Sequence, residues 1–169
     1  MKVKEKQLNV IEKKAREWLL DRGVKVQDIA ELTYYLQSSY FPNLTIENCT
    51  EHVEKVLSKR EVQNGILTGI QLDRLTEQGL LDEPLQSMLK KDEGLYGIDE
   101  VVALSILNVY GSIGLTNYGY IDKQKPGILS RLNDKSTGEC HTFLDDIVGA
   151  IAAAAASRLA HNSDITTTS

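Results

Sequence analysis

Three groups of charged side chains in the second half of this chain could do chemistry together. Asp99 and Glu100 stand directly before the apolar run 101–107. Asp122 stands three residues before Lys125-Pro126. Asp145 and Asp146 stand directly before Ile147-Val148-Gly149-Ala150-Ile151 and a run of alanines. Carboxylates are seldom buried unless paired, hydrogen-bonded or bound to metal, so acidic doublets at the mouths of apolar segments point to a site. Hard cations prefer carboxylate oxygen and complete their shell with substrate phosphate. A cation held this way polarises a phosphoryl oxygen and lowers the pKa of a bound water. Lys125 is close enough in sequence to Asp122 to bind that phosphate as a point charge.

Helix-start electrostatics offers a plainer account. Acidic residues favour first helical turns, where the macrodipole is positive, and both doublets fall at expected helix starts. Neighbouring residues on a helix also point about 100° apart. The two members of a doublet are therefore expected to face different spots.

The elements that must position these groups are helical. Apolar residues recur at three- and four-residue steps, with no convincing alternating strand. The expected architecture is all-α, a single-domain bundle of about six to eight helices spanning 1–161, with 162–169 as a polar, disordered tail. Leu8, Ile11, Ala15, Trp18 and Leu19 share one face of a first helix, and Thr45 is placed to cap a third. Gly65 and Gly69, four apart, predict close approach of a neighbour or a kink, and Asp73, Arg74 and Glu77 are expected on a solvated face. His52 reads as a surface histidine. A helix from Ile98 is expected to break near Gly111 or run on to about Leu115, leaving Asp122 on a connecting segment. The last helix, about Thr142 to Leu159, is expected at the centre, with its alanines allowing close packing and a surplus of small apolar surface forming a dimer seam.

Composition narrows the function. With 41% hydrophobic and 25% charged residues the 169-residue chain is an ordinary globular one. A net charge of -5 argues against nucleic acid as the partner. Cys49 and Cys140 lie far apart and in no metal-ligand spacing, which fits reduced thiols in a cytoplasmic protein. There is no signal peptide and no span of about 20 apolar residues. Phosphate-loop and nucleophile-elbow motifs are missing. Cys140-His141 are mere neighbours, which seldom supplies a nucleophile with its base.

The same acidic residues carry a family resemblance. Asp99-Glu100, then Asp122-Lys123-Gln124-Lys125-Pro126, then Asp145-Asp146-Ile147-Val148-Gly149-Ala150 resemble the pattern of the phosphatidylglycerophosphatase A family, over about the last 75 residues. The chain looks like a soluble, all-helical branch of it. The resemblance implies a magnesium-dependent (or manganese-dependent) phosphatase whose family substrate is phosphatidylglycerophosphate. It implies metal ligation or water activation by Asp99, Glu100, Asp122, Asp145 and Asp146, with Asp122 and Asp145 catalytic, and phosphate held by Lys125. Two departures stand out. Gly119 occupies the position where the family usually has an arginine, and Glu139-Cys140-His141 replace part of a glycine-rich approach to the aspartate pair. A phosphorylated small molecule or lipid headgroup is the implied partner, with peripheral membrane contact and homo-oligomerisation open. The other reading left open is a non-catalytic relative that binds metal or a phosphorylated ligand, or serves as an oligomeric interaction protein.

Overall fold

Leu144–His161 forms the helix about which the rest of the chain is wrapped. In the computed structural model, which describes residues 2–108 and 110–162, it is the ninth α-helix. The others are α1 (Lys2–Asp21), α2 (Val26–Gln37), α3 (Ile46–Leu57), α4 (Arg60–Glu77), α5 (Leu85–Lys91), α6 (Ile98–Leu107), α7 (Ser112–Gln124) and α8 (Ile128–Leu132), with a 3-10 turn at Lys135–Thr137. No strand occurs among the described residues, and none of their helices is long and apolar enough to cross a membrane. The all-α bundle therefore stands, with nine α-helices among the described residues. From 163 onward the expected disordered tail lies outside the described residues.

The central helix, α9, packs against α2, α3, α4, α6, α7 and α8. Every residue from Leu144 to Ser157 is buried, an apolar surround that is continuous rather than striped. Each fully buried Leu or Ile adds roughly 1.5–3 kcal/mol. The alanines let neighbouring backbones approach: the Thr33 hydroxyl on α2 donates to the Ala152 carbonyl at 3.1 Å. Ala150 and Ala152–Ala156 have no exposed surface at all, so the alanine face expected to spill into a dimer seam is used up within the chain.

On α4, Gly69 makes the close approach that its spacing predicts. A Cβ there would overlap the Ile147 side chain and meet Phe143 Cβ at 3.0 Å. The solvated face expected just beyond it holds for Glu77 and in part for Arg74, but not for Asp73. Asp73 is buried, Arg74 stacks 4.6 Å from the Trp18 ring centre while reaching Asp21, and Glu77 pairs with buried Arg22. The apolar positions of α4 set its buried face, and Asp73 lies on that same face as Ile66, Gly69 and Ile70. His52 is only partly exposed, its Nδ1 2.7 Å from the Arg158 guanidinium on α9.

The break at Gly111 occurs, with φ of 78° in the region that glycine tolerates. The segment beyond it departs from expectation. Residues 112–124 are helical, so Asp122 sits in the last turn of α7 rather than on a connecting segment. Glycines 114 and 119 do not stop the helix, because a face carrying Tyr118 and Ile121 packs on α9; tertiary burial outweighs the roughly 1 kcal/mol that each glycine costs.

Candidate metal and phosphate site

Helix α9 starts inside the protein, and that fact builds the site. Its cap position, Phe143, has no side-chain cap of its own. Asp73 supplies one from α4, its two carboxylate oxygens accepting the N–H groups of Phe143 and Leu144 at 3.0 Å each. These are donors that a helix start otherwise leaves unmet. Burial pushes the Asp73 carboxyl up to about 8 in spite of those two donors and nearby Arg22. With the start held there, Asp145 and Asp146 project from the first buried turn, 6% and 5% exposed.

Each finds specific partners. Lys125 donates to Asp145 Oδ2 at 2.9 Å and to Asp122 Oδ1 at 2.7 Å, tying α7 to α9. Asp145 Oδ1 accepts the backbone N–H of Asp146 at 2.8 Å. The Tyr118 hydroxyl donates to Asp146 Oδ1 at 3.1 Å. Asp99, 9% exposed in the first turn of α6, faces the Asp146 carboxyl and helps to raise its pKa. One oxygen from each of Asp122, Asp145 and Asp146 lies within 4.8 Å of the others. Although the two members of the α9 doublet point apart toward different partners, they still converge on one cluster.

The electrostatics is lopsided. A cavity of about 180 Å³ is walled by Asp92, Glu93, Asp99, Glu100, Asp122, Asp145 and Asp146, against the single cation Lys125. Burial, then neighbouring Asp145 and Asp99, push Asp146 up to about 10. Burial raises Asp145 to about 6, with Lys125 opposing. Burial alone would lower Lys125, but Asp145 and Asp122 outweigh it and hold the ammonium above its ordinary range. Without added positive charge, two neighbouring carboxyls thus keep protons that solvated ones would lose, as coupled acids do. An all-oxygen set with this charge excess fits a hard divalent cation, with Asp122, Asp145 and Asp146 as the convergent donors and Asp99 and Glu100 on the same wall.

Of the residues the sequence singles out, the structure brings together Asp99, Asp122, Lys125, Asp145 and Asp146, with Glu100 exposed on the cavity rim. Sequence reasoning missed Asp73, Asp92 and Tyr118. Asp92 ends α5 with φ of 52°, and Lys125 ends α7 with φ of 48°. These are the two non-glycine residues with positive φ among the described residues, and both line the cavity. Glycine would adopt this conformation without strain; here both positions instead carry a charged side chain that lines the cavity. Cys140 and His141 make no dyad: the His141 ring meets Glu139 at 2.7 Å, and burial raises the Cys140 thiol.

A profile of the family described as phosphatidylglycerophosphatase A matches residues 20–161, which include every one of these residues. The chain belongs to that family. Its match extends well before the acidic stretch, into helices that carry none of the pattern. Among relatives, the protein YutG of Bacillus subtilis (strain 168) is 70% identical over 155 residues, covering 92% of this chain and 93% of its own. Of solved structures, a Bacillus stearothermophilus protein superposes with a TM-score of 0.89 at 74% identity, covering 90% of this chain and 94% of that one. The low temperature requirement C protein of Listeria monocytogenes gives 0.88 at 65% identity, covering 89% and 95%. The helical fold of this chain is thus shared with close relatives.

Proposed function

We propose that this protein is a divalent-metal-dependent phosphatase that hydrolyses a phosphate monoester, as its family's description suggests. The observation that carries the reading is the convergence of Asp122, Asp145 and Asp146 oxygens within 4.8 Å, beside a lysine that bridges two of them. In this reading Asp99, Glu100, Asp122, Asp145 and Asp146 hold magnesium or manganese, which when bound neutralises the phosphate and acidifies a water.

The remaining roles belong to the chain itself. The Lys125 ammonium bridges Asp122 and Asp145. Released from them, it binds a phosphoryl oxygen as a point charge. Asp122 and Asp145 orient the attacking water and accept its proton. Tyr118 fixes the orientation of Asp146. The reading takes the chain to be cytoplasmic and to meet any lipid headgroup peripherally.

The test is release of inorganic phosphate from monoesters with and without magnesium, for the native chain and for Asp145→Asn and Asp122→Asn. Loss in both variants is expected; unchanged turnover in both would remove the assigned site. One observation favours a second reading, a non-catalytic binder of metal or phosphorylated ligand. A Cβ at Gly119, one turn before Asp122, meets nothing within 4 Å, so the space for the family's arginine is empty. That reading predicts metal-induced thermal stabilisation with no turnover of any monoester.

A further inference from the structure

We propose that Arg22, which lies outside the acidic cluster, is a positioning residue for it: its buried guanidinium steadies the two α4 carboxylates that clamp the start of α9, and so sets how Asp145 and Asp146 present their oxygens to a cation. The inference rests on the metal-site part of the phosphatase reading and deepens it. The chain enters α9 through the segment 138–143, and α4 grips that segment with two acids one turn apart. Asp73 accepts the Phe143 and Leu144 N–H groups at 3.0 Å each. Glu77 Oε1 accepts the Cys140 N–H at 2.6 Å. The clamp thus spans 140–144 and ends directly before Asp145. The Asp145 N–H donates back into it, to the His141 carbonyl at 3.2 Å, so a displacement of the clamped segment passes to the doublet.

Two carboxylates one turn apart repel each other, and burial strengthens the repulsion. Arg22, directly after α1 and 8% exposed, supplies the compensating charge. Its Nη1 donates to the same Glu77 oxygen that holds Cys140. Its charge also acts on Asp73, against the effect of burial. The backbone beneath it is fixed. Gly23 follows with φ of 75°, and Arg131 of α8 donates to the Gly23 carbonyl at 2.7 Å, pinning the end of α1 from the other side. A second arginine joins the same two helices and gives the contrast. Arg74 of α4 lies over the Trp18 ring and reaches Asp21 at 3.3 Å. Both of these partners are on α1, away from the clamp. If Arg22 merely tied α1 to α4, the two arginines would be equivalent.

The test is calorimetric titration of magnesium into the full chain, native and carrying Arg22→Met, Arg22→Lys or Arg74→Met, at a temperature at which melts show each to be folded. Residues that orient metal ligands from behind are worth about 10–100-fold in affinity. Arg22→Met is expected to weaken magnesium binding about tenfold, and Arg22→Lys, which keeps the charge, to recover most of that loss. Arg74→Met should lower the melting temperature and leave magnesium affinity at the native value. In NMR spectra without magnesium, the Asp145 and Asp146 amide signals should move in Arg22→Met and stay in place in Arg74→Met. Should Arg22→Met not fold, Arg22→Gln takes its place with the same expected loss, since it can still donate to Glu77 but carries no charge. Unchanged magnesium affinity in the uncharged Arg22 variant, or an equal loss in Arg74→Met, overturns the inference and leaves the phosphatase reading standing on its own assay. Affinity that depends on Arg22 in a native chain that hydrolyses no monoester supports the inference and removes the phosphatase reading. A native chain that binds no magnesium removes both.

Discussion

The two acidic doublets look alike in sequence and have different fates. Both occupy the first turn of a helix. In α9 both members are buried and each is bound by side chains from other helices. In α6 Asp99 turns inward to Asp146 while Glu100 faces solvent on the rim. The difference lies in where each helix begins. Six helices surround α9, and Asp73 caps it from inside. Helix α6 starts at Gly97 with no side-chain cap, and Val101 and Leu104 on its outer face are exposed. The macrodipole suffices to explain Glu100, whereas it does not explain two buried carboxylates that share a cavity with one lysine.

The sharpest way to break this comparison is to neutralise one member of each pair. Asp145→Asn should lower magnesium-dependent phosphate release on the order of 100-fold or more, the scale of losing one preorganised electrostatic group. Glu100→Gln belongs at the other end of the scale. Equal losses in the two would show that the doublets act alike.

Next comes the cap that makes the α9 doublet special. In Asp73→Asn one of the two N–H groups faces an amide NH2 instead of an oxygen, an unmet buried donor costing about 1–3 kcal/mol. For a chain of this size each kcal/mol moves the melting temperature by about 2–4 °C. Urea or thermal melts would read the change, and a melt identical to native would show that the cap is dispensable. Gly69→Ala tests the same end of α9 by crowding Ile147 and Phe143, with an expected loss of about 1–3 kcal/mol.

A further effect comes from pH. The carboxyls of Asp73, Asp145 and Asp146 hold protons to about 8, 6 and 10 when folded, whereas their ordinary value is 3.8. Folded pKa values raised in this way mean stability that is full below about 4 and is lost as pH rises through the folded values. The chain without added metal should therefore lose stability progressively between about pH 4 and pH 10, and the stabilisation given by magnesium should grow over the same interval. Calorimetric melts at about pH 5, 6.5 and 8 would show it; a magnesium effect that shrinks with rising pH would contradict it. The smallest change is expected of Glu100→Gln, a few-fold weaker magnesium dependence of activity, since Glu100 is the exposed member of the proposed ligand set and water can take its place on the ion.

Much of the molecule was legible before any fold was known. Helical periodicity specifies the bundle, and a long run of small apolar residues after Asp146 can only be a buried helix, because no other element hides so continuous an apolar surface. The order of Asp99-Glu100, Asp122 with Lys125, and Asp145-Asp146 identifies the cluster and the family. Asp73 was misread although its spacing puts it on the face of Ile66 and Ile70, because an acid beside Arg74 and near Glu77 reads locally as part of a solvated face. Asp92, whose place in the cavity depends on a left-handed turn after two lysines, was not legible, nor was the helical state of Asp122, since Gly114 and Gly119 argue locally for loop. Residue types and short-range spacing come from the sequence by itself. Which carboxylates lose their water was decided by tertiary structure alone, because desolvation depends on what six helices bring to the buried start of the seventh.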